Sequence, residues 1–113
     1  MHNKPKILRA IPQRRYKFGE FTVVVLGDIE SSDALDYRYI MAVVRDGDPE
    51  PGIYLTCEAG RGGERLLRLV MRDGAEVVAE DPVYADVEAF CTAGLAMLQQ
   101  ILNLVDEEPY RLM

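Results

Sequence analysis

The sequence has almost none of the side chains from which most catalytic and metal sites are built. Its 113 residues include one histidine, two cysteines and no tryptophan. Because His2 is the single histidine, a nucleophilic cysteine or serine lacks its usual partner, and no zinc-ligand cluster is evident. Cys57 and Cys91 form no CxxC pattern and are too few for a disulfide framework, which favours two buried free thiols. We therefore predict no catalytic residue, no cofactor and no metal ligand.

Long apolar runs are also absent. No run approaches the roughly 20 residues that span a bilayer. The N-terminal stretch MHNKPKILRAIPQRRYK lacks the continuous apolar segment and the cleavage site of a secretory signal. We therefore expect a cytoplasmic protein without membrane contact. With 49% hydrophobic and 28% charged residues, a chain of this length is expected to form one folded domain.

Phosphate-binding and calcium-binding motifs are missing as well. The closest approach is CEAGRGGERLL, residues 57–67, which carries three glycines and two arginines. A phosphate-binding loop requires a helix after the glycines, whereas ERLLRLVMR alternates like a strand, so residues 60–64 are interpreted as a five-residue hairpin loop. The acidic segments GDIESSDALD and DGDPEPG match no calcium-binding loop and are interpreted as solvated turns.

Charge is distributed unevenly along the chain. Residues 1–17 carry six basic side chains and no acidic one, and the rest of the chain carries seven arginines against all nineteen acids. We therefore divide the chain into a basic N-terminal arm, residues 1–17, partly ordered at most, and a folded domain, residues 18–113. The acidic domain disfavours non-specific binding to nucleic acid. The arm is expected to bind an anionic partner or to lie against the acidic surface of its own domain or of a neighbouring subunit, and KILRAI within it could form a short edge strand.

Five segments have the composition of β-strands, and the short spacings between them favour an antiparallel meander over parallel crossovers. They are EFTVVVLGDI, YRYIMAVV, GIYLTCEA, ERLLRLVMR and AEVVAE. For the last hairpin, a three-residue loop over residues 72–74 pairs Met71 with Ala75, Leu69 with Val77 and Leu67 with Ala79, which leaves one face wholly apolar.

The C-terminal segment changes to helical spacing. Apolar side chains recur at the period of a helix from about Ala85 to Val105. The predicted fold is therefore a single α+β domain in which one long C-terminal helix packs across one face of an antiparallel meander sheet of about five strands. The face expected beneath the helix carries Phe21, Val23, Val25, Ile53, Leu55, Leu67, Leu69, Met71 and Val77.

The other face of the sheet is partly apolar too, and with one predicted helix in the chain it has no evident cover. This second face includes Tyr54, Arg68 and Val70. A second copy of the chain is the favoured cover, which predicts a homodimer through this face or through a sheet edge. Alternatively, tyrosines and arginines form a platform for planar anionic ligands. The residues of this possible partner or ligand surface are Tyr54, Arg68 and Arg72, with Arg14 and Arg15 of the arm.

Three functional hypotheses follow from these features. The favoured one is a non-enzymatic homodimeric interaction or regulatory module that engages a protein partner through the basic arm, the exposed sheet or the helix. The second is binding of single-stranded nucleic acid, because a curved antiparallel sheet followed by a helix is similar in architecture to Whirly-type single-strand-binding regulators. The third is a small-ligand binder or enzyme with a cavity between sheet and helix, in which Cys57 or the acidic loops supply reactivity.

Overall fold

The computed structural model describes residues 4–33, 36–59, 65–80 and 84–113, which form a seven-stranded antiparallel sheet and one helix. The strands lie in the order β6-β5-β4-β3-β2-β1-β7. The predicted α+β class, the antiparallel meander and the C-terminal helix are confirmed, but the sheet has more than five strands. The elements are β1 (Ile7–Phe18), β2 (Phe21–Ser31), β3 (Asp36–Arg45), β4 (Ile53–Ala59), β5 (Arg65–Met71), β6 (Gly74–Glu80), α1 (Val87–Ile101) and β7 (Tyr110–Arg111).

Strands β1 and β7 account for the two additional strands. Most of β1 comes from residues 7–17, which the charge pattern placed in a basic arm outside the domain. Three register shifts interrupt its pairing with β2, one of them between Pro12 and Arg14. Such bulges break the alternation of apolar and polar side chains by which a strand is recognised in a sequence. β7 pairs only with Tyr16 and Lys17 and is too short to produce a pattern.

Helix α1 is shorter than predicted because both ends are fixed by local backbone chemistry. At the start, a carboxylate oxygen of Asp86 accepts a 2.9 Å hydrogen bond from the backbone N–H of Ala89, which is an N-cap interaction. After Leu102, Asn103 has a φ of +55°, which ends the helix. Leu104 still packs against the core, so the apolar spacing continues beyond the helical backbone.

The main core lies between α1 and one face of the sheet. Phe90, Leu95 and Leu98 of the helix pack there against buried residues of β1 to β5. The expected helix-facing set is largely correct, but Met71 and Val77 are 38% and 45% exposed. Val77 pairs with Arg68 rather than with Leu69, which turns its side chain to the second face.

The β5–β6 hairpin has a two-residue loop, because Met71 pairs with Gly74. The predicted three-residue loop is therefore wrong. A bulge between Leu67 and Arg68 restores the pairing of Leu67 with Ala79 farther from the turn, where the helix covers the sheet. The predicted hairpin loop over residues 60–64 lies outside the described residues, and the flanking residues Ala59 and Arg65 pair with each other.

The second face is covered within the chain. Ile40, Tyr54 and Val70 form part of a second buried cluster on this face, and Ile7 and Ile29 from the far end of the β1–β2 hairpin pack against it. Pro5, which precedes β1, is also buried. The chain's own N-terminal segment and first hairpin thus cover part of this face, and the homodimer itself stays a prediction.

Candidate functional site

A buried carboxylate lies on the second face at the end of β4. Glu58 is 3% exposed. The Thr56 hydroxyl donates a 3.0 Å hydrogen bond to its Oε2, and Nη2 of Arg68 lies 2.9 Å from its Oε1. The Arg68 contact has the distance of a hydrogen bond but not its angle, since Oε1 makes no hydrogen bond. Strand parity explains the cluster: Thr56 and Glu58 are two residues apart, and Thr56 pairs directly with Arg68. The carboxylate charge is thus balanced by an ion pair.

Tyr37 adjoins this pair. A register shift between Tyr37 and Tyr39 places Tyr37 opposite Glu58. The Tyr37 hydroxyl donates a 2.8 Å hydrogen bond to Asp33. Burial raises the pKa of Tyr37 well above its ordinary value, and the hydrogen bond to Asp33 adds to this effect. Tyr37 therefore remains a neutral hydrogen-bond donor.

Beside these residues lies a cavity of about 350 Å³, where β3 and β5 begin and β4 ends. This volume falls within the range of small-molecule sites. The described residues that line it are Asp36, Tyr37, Arg38, Cys57, Glu58, Ala59 and Arg65. We name it the β3–β5 cavity.

The charges around the β3–β5 cavity are unbalanced. Glu58 is already paired with Arg68. Within residues 4–33, 36–59, 65–80 and 84–113, neither Arg38 nor Arg65 has a carboxylate within ion-pair distance. The Arg38 guanidinium instead donates a 3.4 Å hydrogen bond to the carbonyl oxygen of Ala85 and lies 5.2 Å from the centre of the Tyr39 ring. Among the described lining residues, two arginines stand against Asp36 as the one acid outside the Glu58–Arg68 pair, and this surplus of positive charge favours an anion.

Cys57 contributes a thiol to the same cavity. Burial raises the pKa of the Cys57 thiol, while Arg38 and Arg65 act in the opposite direction. The thiol is therefore protonated near neutral pH and is a weak nucleophile. Both arginines lower the pKa of the Cys57 thiol, which is consistent with the position of Cys57 between them in the cavity wall.

The sequence-predicted surface is divided among several parts of the molecule. Tyr54 is 5% exposed, so it does not offer an open face for stacking, and Arg68 is committed to Glu58. Arg72 lies in the β5–β6 turn and shares a surface depression with Lys4 and residues 48–52. Tyr54 and Arg68 share the second face, but the five residues do not form one site.

Arg14 and Arg15 point to opposite sides of β1. Arg14 donates to Glu88 at the start of the helix. The backbone of Arg15 pairs with the C-terminal residues Leu112 and Met113, and its side chain is exposed. Three of the six basic residues in the predicted arm have acidic partners in the domain, namely Arg9 with Glu30, Arg14 with Glu88 and Lys17 with Asp46.

The sequence interpretation missed Arg38 and Arg65. Twenty-six positions separate them, and each is an isolated charge in a strand pattern. Only the register of β3, β4 and β5, including the shift after Tyr37, brings them to either side of Cys57. The 57–67 segment, which was considered as a phosphate-binding loop because of its glycines, does contain four of the residues that line the cavity.

The sheet also offers a free edge. In the part of the chain that the structure describes, β6 pairs with β5 on one side and with no strand on the other. Ala75, Glu76 and Val77 are exposed along it.

The described residues contain no group of three or more potential metal-binding side chains, and among them no helix is long and apolar enough to cross a membrane. No family model, curated protein or solved structure matches the chain.

Proposed function

We infer that this chain is a non-enzymatic cytoplasmic interaction module that forms a homodimer through the outer edge of β6. The observation that carries the proposal is the free edge of β6 with the exposed apolar side chain of Val77. An unpaired strand presents backbone N–H and C=O groups that a second strand can satisfy. Because the second face has a cover of its own, the edge is the better candidate for self-association.

Charge placement favours an antiparallel pairing of two β6 strands. Such a pairing brings the β5–β6 turn of one copy, with Arg72, beside the Glu80 end of β6 in the other copy. In the described structure Arg72 has no carboxylate within ion-pair distance. The two-fold arrangement forms this contact twice. At the opposite edge, exposed Arg15 remains for a partner protein with an acidic surface.

Light scattering coupled to size exclusion tests the dimer. The wild-type chain is expected to elute at twice its monomer mass of 12.7 kDa. Val77→Lys should shift it to the monomer, because a lysine on an edge strand opposes further strand pairing. Arg72→Glu should weaken the dimer, since it places a second negative charge beside Glu80 of the other copy.

Leu8→Lys is the matched control, because Leu8 is an exposed apolar residue of β1, at the other side of the sheet. It should leave the dimer intact. A monomeric wild-type protein at high concentration would overturn the proposal. A dimer broken by Leu8→Lys but not by Val77→Lys would assign self-association to β1 instead.

The nucleic-acid alternative requires exposed rings for base stacking. Burial of Tyr54 and Tyr37 removes the two tyrosines of the second face from that role. No specific observation favours this alternative over the interaction module.

A further inference from the structure

We propose that the β3–β5 cavity is a binding site for a small organic anion, whose carboxylate or phosphate group lies between the guanidinium groups of Arg38 and Arg65. The proposal concerns the opposite end of β5 from the Arg72 turn and does not depend on the dimer. It rests on three features of the cavity: its size, its surplus of positive charge and its construction on strands.

The volume limits the ligand to a small molecule. About 350 Å³ lies near the lower end of the range for ligand sites, which excludes a folded protein segment. Of the described lining residues, Tyr37, Cys57 and Glu58 are buried, and Arg38 and Arg65 are exposed. A ligand with a short carbon skeleton would place its apolar part beside buried Cys57 and its charged group beside the exposed arginines.

The charges select an anion rather than a cation. The carboxylate of Glu58, the most deeply buried acid of the wall, is already neutralised by Arg68 and hydrogen-bonded by Thr56. Among the described lining residues, Asp36 is the one other acid beside the two arginines, and a guanidinium presents a planar set of donors that matches a carboxylate or a phosphate. The backbone positions of the two arginines are fixed, because they lie on β3 and β5, which both pair with β4, and this reduces the ordering that a ligand must impose.

Cys57 provides a direct probe of this anion preference. Iodoacetate and iodoacetamide both alkylate a thiolate through the methylene carbon that carries the iodine. In each case the C–S bond forms, the C–I bond breaks with loss of iodide, and the thiol proton passes to solvent. The reagents differ in that iodoacetate carries a carboxylate, so the ratio of their rates at Cys57 measures the attraction of a small anion to the cavity. Rates are followed by peptide mass spectrometry at pH 8, in the folded chain and in urea.

We expect the iodoacetate-to-iodoacetamide ratio at Cys57 to be about fivefold higher in the folded chain than in urea, as for attraction by one exposed charge. Arg38→Gln and Arg65→Gln should each lower the ratio towards the unfolded value. Arg45→Gln is the matched control, because Arg45 lies on the same strand as Arg38 and its guanidinium also lies over an aromatic ring, that of Phe21. Inorganic phosphate should lower the rate at which iodoacetate alkylates Cys57 more than sodium chloride does at equal ionic strength.

Three results would overturn the proposal. One is an equal ratio in the folded and unfolded chains, and another is a ratio that Arg38→Gln and Arg65→Gln leave unchanged. The third is the absence of labelling at Cys57 in the folded chain, which would show that the cavity is closed to small molecules. Circular dichroism of each variant confirms that a changed ratio does not come from unfolding.

Discussion

At the scale of single residues, the most consequential contact is the ion pair between Glu58 and Arg68. A carboxylate that is 3% exposed is stable only while its charge is compensated. Arg68→Met is therefore expected to lower the free energy of unfolding by about 3 kcal/mol, since it leaves a buried charge without a partner. Urea denaturation at pH 7 measures the change.

The double variant Glu58→Gln/Arg68→Met separates this cause from simple loss of packing. It should recover most of the lost stability, because an amide carries no charge and the Thr56 hydroxyl can still donate to its oxygen. Arg45→Met serves as the control, since its ion pair with Glu20 is 59% and 56% exposed and should contribute about 0.5 kcal/mol or less. If the two single changes at Glu58 and Arg68 simply add in the double variant, the pair does not act as a unit.

At the scale of elements, the packing of α1 on the sheet depends on Gly94. A Cβ atom at this position would lie 2.7 Å from Cε of Met41 and 3.2 Å from Cδ2 of Leu55. Both neighbours are fully buried in β3 and β4. Gly94→Ala should gain about 1 kcal/mol of helix propensity. It should lose somewhat more by overpacking, which typically costs about 1 to 3 kcal/mol. The expected result is a small net loss in urea denaturation.

A shorter side chain at position 41 should relieve this clash. The double variant Gly94→Ala/Met41→Val is expected to lose less stability than the two single variants lose in sum. The difference, which is the coupling free energy, should be about 1 kcal/mol. Ala96→Gly, at an exposed position of the same helix, measures the propensity contribution alone. Strict additivity of Gly94→Ala and Met41→Val would contradict the assigned contact.

The elements also show which physical signals a sequence carries. The centres of β2, β4 and β5 and most of α1 could be predicted, because burial beneath the helix demands apolar side chains at fixed spacing, as at Val23, Leu55 and Leu69. β1 could not be recognised as a full strand, because its bulges and basic side chains hide its alternation. The same limit applies to the cavity. Arg38 and Arg65 meet only through the register of three strands and a bulge, and neither is apparent from local spacing.

At the scale of the whole molecule, the two faces of the sheet respond together to alkaline pH. Burial is the main cause that raises the pKa values of Tyr16, Tyr37, Tyr54 and Tyr84, and also those of Cys57 and Cys91. For Tyr16 the pKa rises from 10.0 to about 12. These groups lie in both buried clusters or against them. Their ionisation therefore opposes the packing of the entire sheet.

The sign follows from proton binding. Between the ordinary and the raised pKa, the folded chain binds more protons than the unfolded chain, so stability is fully present below about pH 9 and falls as pH rises. We expect the urea midpoint to decline steadily from pH 9 to pH 11.5, and Tyr16 alone to account for up to about 2 kcal/mol of that loss. Tyr16→Phe should flatten the decline, whereas Tyr110→Phe, at a 70% exposed position, should not. Because the loss comes from ionisation of groups buried on both faces of one sheet, the tyrosinate absorbance of the buried tyrosines and the loss of helical circular dichroism should rise together. Tyrosinate that forms fully before the helix signal changes would show that the tyrosines are accessible in the folded chain.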